Sequence, residues 1–199
     1  DDGLVSIGDY EVMSSQKVGP TIADDIKVSA LWSIMFSLLI IFLYILLRFR
    51  KWQFSLGAVA AVFHDVLIVL SIFSLFYGIL PFSLEIDQAF IAALLTIIGY
   101  SLNDTVVVFD RIREHMNIFK KKEFNSLVNN ALNSTLSRTV NTSLTTFFVL
   151  LVIFLFGGEV IRGFMFALMV GVIVGTYSSL FVASPIMVDT VKKSEEDKK

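Results

Sequence analysis

Residues 56–80 read LGAVAAVFHDVLIVLSIFSLFYGIL, an apolar run that is interrupted near its middle by His64 and Asp65. A helix needs about 20 mostly apolar residues to cross the hydrocarbon core of a bilayer. The run therefore predicts a membrane-spanning helix. Pro81 follows directly and ends it, because proline has no N–H group to continue the helical hydrogen bonds.

Four further apolar stretches predict four further spans, at residues 26–47, 89–109, 139–156 and 163–188. The composition agrees, because 55% of the 199 residues are hydrophobic and 17% are charged, whereas a soluble domain carries about 25% charged residues. The chain contains no cysteine, which excludes disulfides and thiolate metal sites. The sequence thus predicts an all-α membrane protein with five transmembrane helices.

Residues 1–25 are acidic and polar, and we expect them to form the end of a domain folded outside the cytoplasm. Short strands are expected there at residues 4–7 and 10–13. The segment differs from a signal peptide, since no apolar core follows a basic start. An odd number of spans with an external start also predicts that a further helix precedes this chain.

Most of the 16 Lys and Arg residues lie in polar segments at residues 48–51, 110–138 and 192–199. The positive-inside rule places these segments in the cytoplasm, with the tail at 189–199, and places the N-terminus outside. Apolar residues recur at helical spacing over 120–137, which predicts an amphipathic helix along the membrane surface. An ordinary surface connector is the alternative interpretation.

Two carboxylates lie within the predicted spans, where an Asp costs about 2.5–3.5 kcal/mol on insertion scales. Asp65 lies near the middle of the second span, and Asp104 lies nearer the cytoplasmic end of the third. Ionisable residues are rare in spans and often belong to ion pathways. Each carboxylate therefore has two interpretations, a proton-relay group or a hydrogen-bonding group that ties helices together.

Polar residues of the third and fourth spans predict a hydrated pocket around Asp104. The fourth span begins with guanidinium, amide and hydroxyl groups, of which Arg138, Thr142 and Thr145 stack along one side. We expect Asp104 and Arg138 to form a proton relay, although Arg138 could instead be a basic anchor at the interface. The expected supporting polar residues are His64, Asp65, Tyr100, Ser101, Asn103, Thr105, Asp110, Arg111, Thr142 and Thr145.

Such a pocket has a use in energy coupling. Burial disfavours the charged form of a carboxyl group, and a nearby guanidinium favours it. An Asp under both influences can change its protonation when its access changes from one side of the membrane to the other. One proton that crosses a potential of about 100 mV releases roughly 2.3 kcal/mol, enough to bias two conformations. The expected coupling ion is H⁺, with Na⁺ left open because both suit oxygen ligands; no other cofactor and no metal site is predicted.

Small residues recur at every fourth position of the fifth span. They are Gly163, Ala167, Gly171, Gly175, Ser179 and Ala183. Small residues at this spacing let another helix approach closely. Packing inside the bundle is the favoured interpretation, and contact with a preceding helix or a partner subunit is the alternative.

Several motifs of the chain are specific to a known family. They read VGPTIADDI at 18–26, FHDV at 63–66, LLTIIGYSLNDTVVVFDRIRE at 94–114, LSRTVNTSLTT at 136–146 and GVIVGTYSSLFVASP at 171–185. These motifs closely resemble the SecF family, and the resemblance covers nearly the whole chain. SecF is the smaller half of the SecD–SecF accessory complex of the bacterial Sec translocon and is related in fold to RND transporters.

The resemblance implies a function, a location and a set of partners. The spans would be the last five of an RND-like six-helix repeat in the bacterial inner membrane. The family uses the proton motive force to assist protein translocation and is not an enzyme. The implied partners are SecD (separate or fused), SecYEG, exported unfolded polypeptides and membrane lipid, with YidC and YajC as further candidates and no nucleic acid. The family's intramembrane Asp and Arg fall on Asp104 and Arg138, and its Asp–Arg pair at the cytoplasmic mouth falls on Asp110 and Arg111.

Three other functions stay open on the sequence alone. An RND-type proton-driven exporter of small molecules or lipids would share these helices but carry a larger external domain. A passive translocon scaffold would need no proton coupling. An intramembrane aspartyl protease would need Asp65 and Asp104 in one site, and the Gly-x-Gly that precedes the catalytic Asp in that class is missing before Asp104.

Overall fold

A computed structural model describes residues 20–119 and 122–196 of the chain. Its helices are α1 (Pro20–Phe49), α2 (Trp52–Phe76), α3 (Gln88–Ile118), α4 (Phe124–Phe156), α5 (Glu159–Ser178) and α6 (Ser184–Glu196), and a π-helical segment at Ser179–Ala183 joins the last two. The predicted all-α membrane fold is confirmed, because five helices are long and apolar enough to cross a membrane. The strands expected at residues 4–7 and 10–13 lie outside the described residues.

Helix α3 lies at the centre of the bundle and packs against α2, α4 and α5, while α1 packs mainly on α2. Burial of apolar side chains between these helices forms two core clusters. One is centred on Phe54, Phe109 and Met187, and the other on Phe73 and Phe90. The outward faces of α1 and α4 carry many exposed large apolar side chains, as expected for surfaces in contact with lipid.

One end of the bundle, here called the basic end, contains the α1–α2 loop, the end of α3, the start of α4 and the end of α6. There the Arg48 guanidinium lies 2.9 Å from the Asp110 carboxylate, and Arg113 donates to the Arg48 carbonyl oxygen at 3.0 Å. The rings of Phe49 and Phe54 stack with centroids 5.1 Å apart. These contacts fix the α1–α2 turn against α3.

The structure differs from the predicted surface helix at residues 120–137. Helix α4 is continuous from Phe124 through the predicted fourth span. Its early apolar residues Leu127, Val128 and Ala131 are buried in the core of the bundle. No Gly or Pro interrupts the helix, so nothing separates the two parts. One continuous helix thus contains most of the predicted amphipathic segment and the predicted fourth span.

Helix α5, the π-helical segment and α6 follow one another without a gap and are together called the last helix. The π-helical segment lies close to α2. Pro185 follows it and provides no N–H for the helical ladder, while the Ser184 hydroxyl donates to the Ser179 carbonyl at 3.0 Å. A Cβ atom at Gly57 of α2 would lie 2.6 Å from the Ala183 carbonyl oxygen. The contact between α2 and the π-helical segment therefore depends on the missing side chain at Gly57.

The stripe of small residues on the last helix lies inside the bundle. A Cβ atom at Gly175 would lie 3.0 Å from Ser101 Cβ, and one at Gly171 would overlap the side chain of Ile97. Ala167 is fully buried. These residues let α5 approach α3 closely. At Gly163, a Cβ atom would lie 2.5 Å from the Ser83 carbonyl oxygen, so this glycine lets α5 approach the loop between α2 and α3.

The start of α3 is fixed by an N-cap. The Asp87 carboxylate accepts a hydrogen bond from the Phe90 N–H at 2.8 Å, and removal of such a cap costs about 1 kcal/mol. We expect Asp87→Ala to lower the midpoint of thermal unfolding in detergent. Glu85→Ala, which changes an exposed carboxylate in the same loop, is the control, and equal midpoints for the two variants would contradict the capping role.

Candidate functional site

Asp104 lies at the junction of three helices. Its side chain is buried, with 1% exposure. Its Oδ2 accepts a hydrogen bond from the Ser143 hydroxyl of α4 at 3.4 Å, and Ser143 Oγ in turn accepts one from the Thr176 hydroxyl of α5 at 2.5 Å. We call Asp104, Ser143 and Thr176 the Asp104 cluster. The carboxylate faces the interior of the bundle and not its outer surface.

Two clefts come close to this cluster. The first, of about 250 Å³, lies between α4 and α5 and is lined by Val140, Ser143, Leu144, Phe147, Val172, Ile173 and Thr176. The second, of about 420 Å³, lies at the basic end and is lined by Val107, Asp110, Arg111, Glu114, Ser134, Thr135 and Arg138. The first cleft is mostly apolar and includes two members of the cluster, while the second is mostly polar and charged.

A row of hydroxyl groups on α4 leads from the basic-end cleft toward Asp104. Thr135, Thr139 and Ser143 follow one another at every fourth position, and all three are buried. Thr135 lines the cleft, and Ser143 bonds to Asp104. Thr139 Oγ1 is buried with no hydrogen-bond partner among the described residues. A buried hydroxyl in that condition costs about 1–3 kcal/mol, so the Thr139 hydroxyl has hydrogen-bonding capacity that the described residues do not use.

Arg138 lies apart from Asp104 in this conformation. Its side chain is exposed and lines the basic-end cleft. Within residues 20–119 and 122–196, no salt bridge or hydrogen bond joins it to Asp104. The side of α4 that we expected to face Asp104 does not contact it either. The Thr142 hydroxyl donates to the Arg138 carbonyl oxygen at 2.9 Å, and the Thr145 hydroxyl donates to the Thr142 carbonyl oxygen at 2.8 Å, both within α4.

The sequence of α4 explains why a different side of this helix faces Asp104. Polar residues cover most of the circumference of α4 between Arg138 and Thr146, with Val140 and Leu144 as the exceptions, so spacing within this stretch does not decide which of the polar sides faces α3. The apolar residues one and two turns earlier decide it, because Leu127 and Ala131 are buried on the same side as Thr135 and Thr139. The buried side therefore continues to Ser143.

Asp65 forms a second cluster. Its Oδ2 accepts hydrogen bonds from the hydroxyls of Ser101 on α3 at 2.5 Å and Ser178 on α5 at 2.8 Å, and its Oδ1 lies 3.1 Å from His64 Nδ1. Asp65 is buried, with 1% exposure. We call Asp65, His64, Ser101 and Ser178 the Asp65 cluster. In the described part of the chain, no side-chain hydrogen bond connects it to the Asp104 cluster.

The other predicted site residues lie around the clusters. Tyr100 donates to Thr146 Oγ1 at 3.2 Å and joins α3 to α4, while Thr105 is buried and donates to the Ser101 carbonyl at 3.1 Å. Asn103 is exposed on the outer side of α3. At the basic end, Asp110 pairs with Arg48.

Arg111, which also belongs to the predicted set, contacts Ser134 at 2.9 Å and Glu114 at 2.7 Å. The structure thus divides the single predicted pocket into two buried clusters and a charged cleft. In the described ranges, no group of three or more His, Cys, Asp or Glu residues could hold a metal ion.

Comparison with known proteins gives this arrangement a family. The family described as "Protein export membrane protein SecD/SecF, C-terminal" matches residues 4–193. The chain belongs to this family. Among SecF-family relatives, the protein translocase subunit SecF of Rhodothermus marinus is 64% identical over 90% of this chain and 58% of its own length. The SecF of Helicobacter pylori J99 is 41% identical over 90% of this chain and 53% of its own.

A fused relative also matches. The protein translocase subunit SecDF of Brucella abortus is 42% identical over 94% of this chain and 24% of its own length. A crystal structure of SecDF in a super-membrane-facing form aligns with a TM-score of 0.76 and 40% identity, over 92% of this chain and 24% of that chain. This SecF-type chain therefore spans little more than half of the SecF relatives and a quarter of the fused ones.

The sequence analysis missed three members of the two clusters. Ser143 lies in the polar start of the fourth span, and the other two, Thr176 and Ser178, lie in the fifth span. Both lie in the run TYSS at residues 176–179, in the middle of an otherwise apolar span. Four consecutive hydroxyl-bearing residues in a span need partners, because lipid offers none. That run was the signal from which a contact with the carboxylates of other helices could have been predicted.

Proposed function

We propose that this chain is the membrane part of a SecF-type subunit that uses the proton motive force to assist translocation of unfolded polypeptides across the bacterial inner membrane. The observation that carries the proposal is Asp104, a carboxylate buried in the spans that accepts a hydrogen bond from Ser143 of α4, which itself accepts one from Thr176 of α5. Membership of the SecD/SecF family supports the export role. The buried carboxylate supports the choice of energy source.

The proposed mechanism follows from the hydrogen bonds of the Asp104 cluster. An ionised carboxylate only accepts hydrogen bonds, whereas a protonated carboxyl group also donates one. A change in protonation therefore changes how Asp104 bonds to Ser143 and, through it, to Thr176. Because these residues lie on α4 and α5, the change shifts both helices relative to α3. We infer that this shift is transmitted to the domain outside the membrane.

Access to Asp104 alternates in this mechanism. From the basic end, protons enter the cleft beside Arg138 and pass along Thr135, Thr139 and Ser143. The unpartnered Thr139 hydroxyl supports this route, since it has hydrogen-bonding capacity to spare. Arg138 lies at the mouth of the cleft. It pairs with ionised Asp104 in the alternate conformation. H⁺ is the proposed coupling ion, with Na⁺ as the alternative.

The proposed orientation puts the basic end in the cytoplasm and the N-terminus outside. The positive-inside rule supports it, because Arg48, Arg50 and Lys51 lie in one short loop at that end. The mouth of the basic-end cleft, with Asp110 and Arg111, then faces the cytoplasm.

The proposed direct partner is SecD, as a separate subunit or fused as in the SecDF relative. Exposed polar residues on the spans support a protein partner, because Asn103, Asn141 and Thr145 would be costly against lipid. SecYEG is the proposed translocon, with YidC and YajC as further candidates. The transport role would involve no enzymatic reaction.

Translocation by the reconstituted complex tests this function. The full-length subunit, SecD and the translocon are placed in proteoliposomes, and the amount of protected polypeptide is measured with and without an imposed proton or sodium gradient. We expect the subunit to increase translocation only when a proton gradient is present. An equal increase without any gradient would indicate a passive scaffold, and gradient-driven efflux of small molecules without export would indicate an RND-type pump.

A further inference from the structure

The Asp65 cluster ties three helices together at one oxygen atom. Asp65 Oδ2 accepts both the Ser101 hydroxyl of α3 and the Ser178 hydroxyl of α5. An ionised carboxylate has enough lone pairs for two donors on one oxygen. Protonation of either oxygen neutralises the carboxylate and weakens both serine bonds, because hydrogen bonds to an ionised acceptor are roughly twice as strong as neutral ones. The serine that has another acceptor within reach is then released.

Ser178 has such a partner on its own helix. Its hydroxyl lies 3.2 Å from the Gly175 carbonyl oxygen, as well as 2.8 Å from Asp65. It can therefore turn from Asp65 to Gly175 without losing its hydrogen bond. Both serines are fully buried, but Ser101 makes the shorter contact and Ser178 has the second acceptor, so Ser178 is the donor that we expect to leave. Its departure breaks the hydrogen bond that joins Asp65 on α2 to the last helix.

His64 offers a path for the proton. Its Nδ1 lies 3.1 Å from Asp65 Oδ1, and a third of its side chain is exposed, against 1% for Asp65. Its ring lies beside that of the exposed Tyr177, at 6.5 Å between centroids. The imidazole thus reaches from the buried carboxylate toward the outer surface of the bundle, and imidazole is a common proton shuttle.

No other charged group faces Asp65 in the described residues. The α3 and α5 residues that contact it are Ser101 and Ser178, neither of which titrates, and His64 is the neighbour on α2. Asp104 bonds to a different helix. Among the groups that contact Asp65 in the described residues, His64 is therefore the one that can exchange a proton with it.

The last helix has an irregular segment next to the Ser178 contact. Ser178 directly precedes the π-helical segment Ser179–Ala183, and such segments often mark functional sites in helices. We propose that Asp65 and His64 form a second proton-binding site, separate from Asp104, that controls how the last helix packs on α2. When Asp65 takes up a proton, the Ser178 hydroxyl turns to the Gly175 carbonyl oxygen and the contact between the last helix and α2 loosens. When the proton is lost, the hydrogen bond from Ser178 to Asp65 forms again.

Distance measurements on the full-length protein with SecD in lipid test the proposal. Spin labels are attached to Phe63→Cys on α2 and Phe181→Cys in the π-helical segment, both exposed positions, in a background without other cysteines. This chain has none to remove. We expect the label distance to increase as the pH falls. Asp65→Asn is expected to abolish the pH response, and His64→Gln to move its midpoint.

Two variants make the result specific. Asp104→Asn is expected to keep the pH response, so this site and the proposed Asp104 relay can fail independently. Asp189→Asn, which changes an exposed carboxylate on α6, is the control and is expected to behave as the parent. A distance that does not change with pH in the parent, or that still changes in Asp65→Asn, would overturn the proposal.

Ser178→Ala decides the matter should Asp65→Asn fail to accumulate in the membrane. This variant removes only the donor that is proposed to switch and leaves the carboxylate with Ser101 and His64. We expect it to adopt the loosened distance at every pH. A pH response equal to that of the parent would show that Ser178 is not the switching group.

Discussion

An Asp104→Asn variant is expected to lose the gradient-dependent part of translocation down to background, while it inserts into the membrane in normal amounts. The amide has the shape of the carboxyl group, and its oxygen can still accept the Ser143 hydroxyl. The cost in stability should thus be limited to about 1 kcal/mol, the net value of a typical hydrogen bond. The amide cannot take up or release a proton, so the coupling step disappears.

Asp189→Asn is the matched control for this variant, because it makes the same chemical change at an exposed position on α6. Translocation in the reconstituted complex is measured for both, with and without the proton gradient, alongside the amount of subunit in the membrane. Full gradient-dependent activity in Asp104→Asn would contradict the relay role. Loss of the protein itself would point to a structural role for the carboxylate.

Gly57→Leu is expected to destabilise the bundle most strongly among the packing variants. Even a Cβ atom at Gly57 would lie 2.6 Å from the Ala183 carbonyl oxygen and 3.2 Å from the Phe109 ring. A backbone carbonyl cannot move aside as a flexible side chain can, so α2 and the last helix must separate. Overpacking of a core costs typically about 1–3 kcal/mol and occasionally more. We expect a lower unfolding temperature and less folded protein in the membrane.

Gly99→Leu provides the comparison, since no atom lies within 4 Å of a Cβ built at Gly99. The same substitution there should leave the unfolding temperature of the isolated chain nearly unchanged. Thermal unfolding of both variants in detergent is the measurement. Similar losses in both would mean that leucine in the helix matters more than the close contact at Gly57.

The sequence predicts the fold well because a bilayer imposes strict rules on it. A span such as α2 (Trp52–Phe76) has to be helical, since every backbone N–H and C=O group needs a partner within the helix. The same rule makes Asp65 and Asp104 conspicuous, as carboxylates in lipid need a reason to be there. Their burial in the structure follows from that cost.

The composition of the site was harder to predict, for two reasons. First, the stretch from Arg138 to Thr146 is polar over most of the circumference of α4, so it does not itself indicate that Ser143 faces Asp104 and Thr145 does not. Second, spacing along one helix says nothing about pairing between helices. Ser101 and Asp104 lie one turn apart on α3, yet Ser101 bonds to Asp65 and Asp104 to Ser143. Only the packed structure separates the two clusters.

Proton movement across vesicles that contain the full-length subunit and SecD tests the central claim most directly. A pH-sensitive dye inside the vesicles reports proton entry after a membrane potential is imposed. The account predicts potential-driven proton entry with the parent protein and entry at the level of empty vesicles with Asp104→Asn. Equal proton entry for the two proteins would contradict the claim that Asp104 carries the proton.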